Sequence, residues 1–301
     1  MSAQDFYSTF GSITDPGDLG YLLDNLPTDV AGLCRVVQGL VLHIFWANRY
    51  GVQLSPQRQE EVQLRFVRPQ LQRLVELDPR PLTEARLPEK RLVGNCRDFS
   101  TLLTAMLRRQ GVPARARCGF GAYFMPGHFE DHWVCEYWNE AQGRWVLVDA
   151  QLDALQRDAL RPPFDPLDVP RDQFIVGGRA WQMCRAGEAD PEAFGIADMH
   201  GLWFVQGDFV RDVAALNKME LLPWDVWGLM RGPDEDNTAE DLAFLDDLAA
   251  LTAGDVPDFD KVRSLYEADA RLHVPDVIQS FVAGVPRPVS LAEAIAMETR
   301  P

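Results

Sequence analysis

The chain has 301 residues, 47% apolar and 25% charged, enough to bury one large core or two average ones. With 29 Lys and Arg against 45 Asp and Glu, its net charge of −16 repels phosphate backbones and anionic lipid, so neither nucleic acid nor a membrane surface is an expected partner. No run reaches the roughly 18 apolar residues of a membrane span.

The first eighteen residues, MSAQDFYSTFGSITDPGD, have neither a basic n-region nor an apolar h-region, so no signal peptide is expected. The five cysteines are widely spaced and form no Cys-x-x-Cys. Neither a disulfide framework nor a zinc site is therefore expected, and a reducing cytoplasm is the natural location. His128 and His132 follow Pro126 and Gly127, which argue against a helix aligning both rings, so no metal or other cofactor is expected.

In chain order, residues 29–50 and 55–77 read as helices. The most apolar run, 33–46, is interrupted by Arg35, Gln38 and His43 and reads as a core helix. The second helix opens with Ser55 as N-cap and Pro56 at the first helical position, and Pro69 predicts a kink or a break. Residues 78–91 read as an extended, proline-punctuated connection. Residues 96–110 place Phe99, Leu102, Leu103, Met106 and Leu107 on one stripe, and Gly111 and Pro113 stop the helix. The period then changes. Residues 114–124, 131–138 and 144–150 are β-like, rich in aromatic and β-branched side chains, with NEAQG (139–143) as a hairpin loop. A helix followed by an antiparallel three-stranded unit makes an α+β core. Beyond the proline-rich 161–172, helices are expected over 208–222, 237–254, 258–274 and 290–299. The expected organisation is an N-terminal helical part of the core (1–90), the core itself (91–160) and a mainly helical C-terminal elaboration (161–301).

Cys96 lies at the mouth of the helix 96–110. A thiol nucleophile needs a lowered pKa, a base within hydrogen-bond reach and a group that orients the base. The helix start supplies the first, because its amide N–H groups and dipole favour an anion. His132 begins one strand and Asp149 ends its hairpin partner, near the same open end, which suits a hydrogen bond between them. His128, in the MPGHFED loop, is the rival base, and Asp153 the rival carboxylate. Asp131 points to the opposite strand face and reads as a solvated charge. Cys34, Cys118, Cys135 and Cys184 read as packing residues.

The succession GNCRDFSTLLTAMLRRQGVPARARCGF, DHWVCEYW, GRWVLVDAQLD, roughly residues 90–155, resembles the core of the transglutaminase-like superfamily. Cys96, Arg97, Asp98, Gly111, Pro113, Ala114 and Arg115 occupy its first block, His132 and Trp133 its second, and Trp145 and Asp149 its third. The resemblance implies a papain-like architecture, a nucleophile helix with an antiparallel sheet, and a Cys96–His132–Asp149 triad. Trp133 follows His132 directly, with Glu136 beyond, where the common block is His-x-Trp-x-x-Glu-like. Lys90 stands where a papain-like glutamine would lie, so the oxyanion donor is sought upstream, at Gln38 or Trp46, with Gln38 preferred. The expected function is a cysteine-dependent acyl transfer on a peptide or carboxamide, resolved by water or by an amine. The alternative is a catalytically silent peptide-binding protein with the same fold.

Overall fold

Arg115 and Arg117 lie on one buried strand, and satisfying their charges organises the sheet. The computed structural model describes residues 1–282 and 284–298. They form two compact units, and the division cuts through two strands. The first unit holds Met1–Ala116, Val134–Val169 and the end of the described chain from Ile295; the second holds Arg117–Trp133 and Pro170–Ala294. This is a mixed α+β architecture.

The first unit contains α1 (Ala3–Tyr7), α2 (Val30–Leu40), β1 (Val41–His43), α3 (Pro56–Gln59), α4 (Val67–Leu77), β2 (Leu92–Gly94), α5 (Cys96–Arg109), β5 (Arg144–Val148) and α6 (Ala154–Leu160). It also holds the start of β3 (Ala114–Gly121) and the end of β4 (Phe129–Asn139). Its core is the predicted stripe of α5 packed with Leu33, Val37 and Leu40 of α2, Leu71 and Leu74 of α4, and Val146 and Val148 of β5. Burying each such side chain contributes about 1.5–3 kcal/mol. The hairpin expected around 139–143 forms, with Asn139 opposite Arg144 and Cys135 opposite Val148.

Two helical expectations are corrected. The helix expected to run to residue 50 ends at Leu40, because Val41–His43 leave it to pair in parallel with Leu92–Gly94. Tertiary pairing overrides the helical period there. The expected helix 55–77 starts as predicted, with Ser55 accepting from Arg58 N–H, but is interrupted before Val67. Pro69 falls in the first turn of α4, where its missing N–H leaves no bond unmade, and so causes no kink.

The second unit contains the rest of β3 and β4, then β6 (Phe174–Val176), α7 (Gly177–Arg185), β7 (Phe194–Ile196), β8 (Met199–His200), α8 (Leu202–Leu216), β9 (Asp225–Val226), α9 (Ala239–Thr252), α10 (Phe259–Ala268), β10 (Val277–Val282), β11 (Val285–Ser290) and the start of α11 (Leu291–Glu298). Helices are found near each expected C-terminal position, α8 starting earlier than 208 and α10 ending short of 274; residue 299 lies outside the described residues. Thr238 caps α9 as its sequence predicts. The region is not purely helical, however. Strands β6, β7 and β8 extend the sheet in the order β6-β3-β4-β7-β8, and β9, β10 and β11 form another. These strands are three residues or shorter apart from the β10–β11 hairpin, too short for alternation to reveal. α7 lies close on α8 because Gly177 has no side chain: an added Cβ would sit 2.6 Å from Phe209 Cα.

Three of the buried charge pairs among the described residues bear on the sheet and on the turn before α5. Arg115 Nε donates to Glu136 Oε2 at 2.6 Å, and its guanidinium lies 4.0 Å from the Trp145 ring centroid and 5.0 Å from that of Tyr7. Arg117 grips Asp212 with two bonds of 2.8 Å, and Asp212 Oδ1 also accepts from Cys118 N–H at 3.0 Å. Arg97 and Asp98 make the third pair. Removing one partner of such a pair strands the other charge in a low-dielectric interior. Arg117→Ala is therefore expected to lower stability by about 3–5 kcal/mol in urea denaturation. Arg171→Ala, which removes a 3.1 Å pair with the exposed Asp255, should cost less than about 1 kcal/mol. Equal losses in the two variants would contradict this account.

Candidate active site

Cys96 is the first residue of α5 and is 7% exposed. Its position is fixed by a capping box: Asn95 Oδ1 accepts from Arg97 N–H at 3.0 Å, while Asn95 N–H donates to Asp98 Oδ2 at 2.9 Å. Asp98 also accepts from Gln70 Nε2 and from Arg97 Nη1, each at 2.9 Å, and Arg97 Nη2 donates to the Arg65 carbonyl. Burial raises the Asp98 carboxyl above its usual range, opposed by the Arg97 guanidinium and these hydrogen bonds. Gly94 is required on the approach, since an added Cβ would meet Asp98 Oδ2 at 2.8 Å. The GNCRD sequence is thus one braced turn that presents Cys96 at a helix start.

Asp149, 1% exposed, follows β5 directly. Its N–H donates to the Pro166 carbonyl at 2.8 Å, and its Oδ1 accepts from Gln151 N–H at 3.0 Å. The Gln38 side-chain amide donates to the carbonyls of Ala150 at 3.2 Å and Leu152 at 3.4 Å. This amide nitrogen thereby clamps the segment after Asp149 to α2. Gln38, the side chain expected as oxyanion donor, is thus directed at backbone carbonyls in this structure. Trp46, the other residue considered, carries the Arg49 guanidinium 5.7 Å from its ring centroid. Asp153 serves as the N-cap of α6, accepting from Gln156 N–H at 3.1 Å and from the Tyr50 hydroxyl at 2.7 Å.

His132 lies on β4 in the second unit and is 2% exposed. Its ring is enclosed by Phe124, Tyr123 and Phe174, with centroids at 4.8, 5.9 and 6.3 Å, all edge-on. The rival base His128 has its Nε2 3.2 Å from the Gly195 carbonyl. Asp131 is not the solvated charge expected of it. Its carboxyl faces Asp208 of α8, and burial drives it well above the usual carboxylate range. The strand face opposite His132 is covered by α8, a helix the local sequence around Asp131 does not announce.

The remaining cysteines are buried, and among the described residues none forms a disulfide. Burial pushes the thiols of Cys34 and Cys118 far up and that of Cys184 up to about 11. Other motif residues prove architectural. Arg115, Glu136 and Trp145 form one stack, which sequence reasoning missed because cation–π and ion-pair partners are set by the sheet. Asn95→Ala, which removes the acceptor for Arg97 N–H, is expected to cost about 1 kcal/mol in chemical denaturation. A variant as stable as the parent would show that the box does not hold the turn.

Residues 74–150 match the family model of the Transglutaminase-like superfamily. Among solved structures, a candidate cysteine protease from Cytophaga hutchinsonii is similar at 15% identity and a TM-score of 0.32, covering 58% of this chain and 46% of that one. Red sea bream transglutaminase is similar at 17% identity and a TM-score of 0.31, covering 45% of this chain and 26% of that one. The chain therefore spans about half the length of the first and about a quarter of the second. No curated protein matches.

Proposed function

We propose that this chain, whose residues 74–150 carry a core of the transglutaminase-like superfamily, is a cysteine-dependent acyl-transfer enzyme acting on a carboxamide or peptide bond. The superfamily includes cysteine-dependent enzymes. The observation that carries the reading is Cys96 at the first position of a helix, braced by the Asn95–Asp98 capping box. An anion there meets the positive end of the helix dipole.

In this mechanism Cys96 is the nucleophile, His132 the base and Asp149 the orienting carboxylate. His132 takes the thiol proton, and the thiolate sulfur forms a bond to the carbonyl carbon. The negative charge on the carbonyl oxygen is held by backbone N–H at the helix start. The carbon–nitrogen bond then breaks, and His132 returns its proton to the leaving amine. Water or a second amine attacks the thioester carbon while His132 accepts the proton of the incoming group; the carbon–sulfur bond then breaks, the acid or new amide leaves, and His132 returns the proton to the sulfur. Asp149 orients the imidazole and stabilises it when charged. The aromatic enclosure of His132 supports the reading, because it keeps solvent from competing for the ring.

Iodoacetamide labelling read by mass tests the nucleophile. Cys96 should react rapidly below pH of about 7, whereas Cys34, Cys118 and Cys184, whose thiols burial pushes up, should react slowly. Cys96→Ala should abolish turnover of peptide and carboxamide substrates with the fold retained. Asp149→Asn should lower turnover by about 10⁴-fold, as loss of the orienting carboxylate does in such triads. Retained turnover in Cys96→Ala, or labelling of Cys96 no faster than of Cys34, would refute the assignment; peptide binding without turnover would identify a silent binding protein.

A further inference from the structure

On the strand face opposite His132, the second unit gathers three metal-ligand atoms. Cys118 on β3, Asp131 on the neighbouring β4 and Asp208 on α8 bring one ligand atom each to within 4.8 Å of one another. Cys118 is 0% exposed and Asp208 1%. Oδ1 of Asp131 and Oδ2 of Asp208 are buried, and neither has a hydrogen-bond partner among the described residues. Leaving a buried carboxylate oxygen unsatisfied is costly, and two carboxylates facing each other in a low dielectric repel.

The neighbouring cations do not answer this. Arg211 Nη1 donates to Asp208 Oδ1 at 2.9 Å and its Nη2 to the Asp225 carbonyl at 3.4 Å, so it holds the other oxygen of Asp208. Arg117 holds both oxygens of Asp212. Without an ion, the arrangement is held by a proton between Asp131 and Asp208 and by the Cys118 thiol donating to Asp208; a divalent ion would take the place of both protons. A divalent ion uses all three atoms. Its charge and that of Arg211 together balance two carboxylates and a thiolate.

We propose that Cys118, Asp131 and Asp208 form a binding site for a divalent cation of the zinc type. The mixed sulfur and oxygen donor set suits a borderline-soft ion, and three protein ligands leave one coordination position for water. Arg211 steadies Asp208 from behind through the oxygen the ion does not take. The site is independent of the acyl-transfer reading and stands or falls separately.

Cadmium titration of the chelator-treated full chain tests it, in the natural sequence and in Cys96→Ala, where the proposed nucleophile cannot contribute a thiolate. The expected result in both is uptake of one equivalent of Cd²⁺ with a thiolate-to-cadmium charge-transfer band, reversed by competing Zn²⁺. Cys118→Ser should abolish the band. Asp208→Asn should weaken binding by at least about 10–100-fold, the loss that follows removal of even an outer partner of a metal ligand. Circular dichroism reports whether each variant folds; should Asp208→Asn not fold, Cys118→Ser decides. Absence of stoichiometric uptake would overturn the proposal, leaving a carboxyl pair that holds only a proton. A band that survives Cys118→Ser would overturn it equally.

Discussion

The buried Asp98 carboxylate is the tie on which the region around Cys96 depends. It accepts from the backbone of Asn95, the side chain of Gln70 on α4 and the guanidinium of Arg97. Three parts of the first unit thus share one anion: the turn after β2, the helix α4 and the start of α5. Burying such a charge is unfavourable unless its oxygens are satisfied, and here several donors converge on them. The geometry of the turn is therefore over-determined. A reactive sulfur needs that rigidity, since a misplacement of about an ångström already costs rate.

The same logic recurs along β3, whose Arg115 and Arg117 are both buried. Arg115 finds Glu136 and two aromatic rings in the first unit, whereas Arg117 finds Asp212 in the second. Buried ion pairs are weak contributors to net stability, but they penalise alternatives that leave one charge alone. A shift of β3 by one residue would exchange its buried faces and separate both guanidinium groups from their carboxylates. The pairs accordingly fix register, a service that an apolar strand of the same length would render less strictly.

Much of the core was legible because its signals are local. The stripe of α5, the Ser55 and Thr238 caps and the hairpin around NEAQG each depend on residues a few positions apart. Of the candidate site, what was legible is the helix start that Cys96 opens, because the Asn95–Asp98 capping box is also a local signal. What stayed hidden depends on distant partners. Val41–His43 becomes a strand only because Leu92–Gly94 lies beside it, and Gln38 is engaged by carbonyls more than a hundred positions on. Asp131 seemed exposed from its strand alternation because nothing near it foretells α8 covering that face. Short strands such as β6 and β7 are likewise below the length at which a period can be read.

The Arg117–Asp212 pair bears on where this molecule can be divided. The segment that matches a known family, residues 74–150, contains the guanidinium but not its carboxylate, and contains Asp149 but not the Pro166 carbonyl that its N–H meets. Excised on its own, that segment would carry an uncompensated cation in the middle of β3 and a loosened end after β5. The limits of similarity and the limits of autonomous folding are thus different quantities, and here the second lie well outside the first.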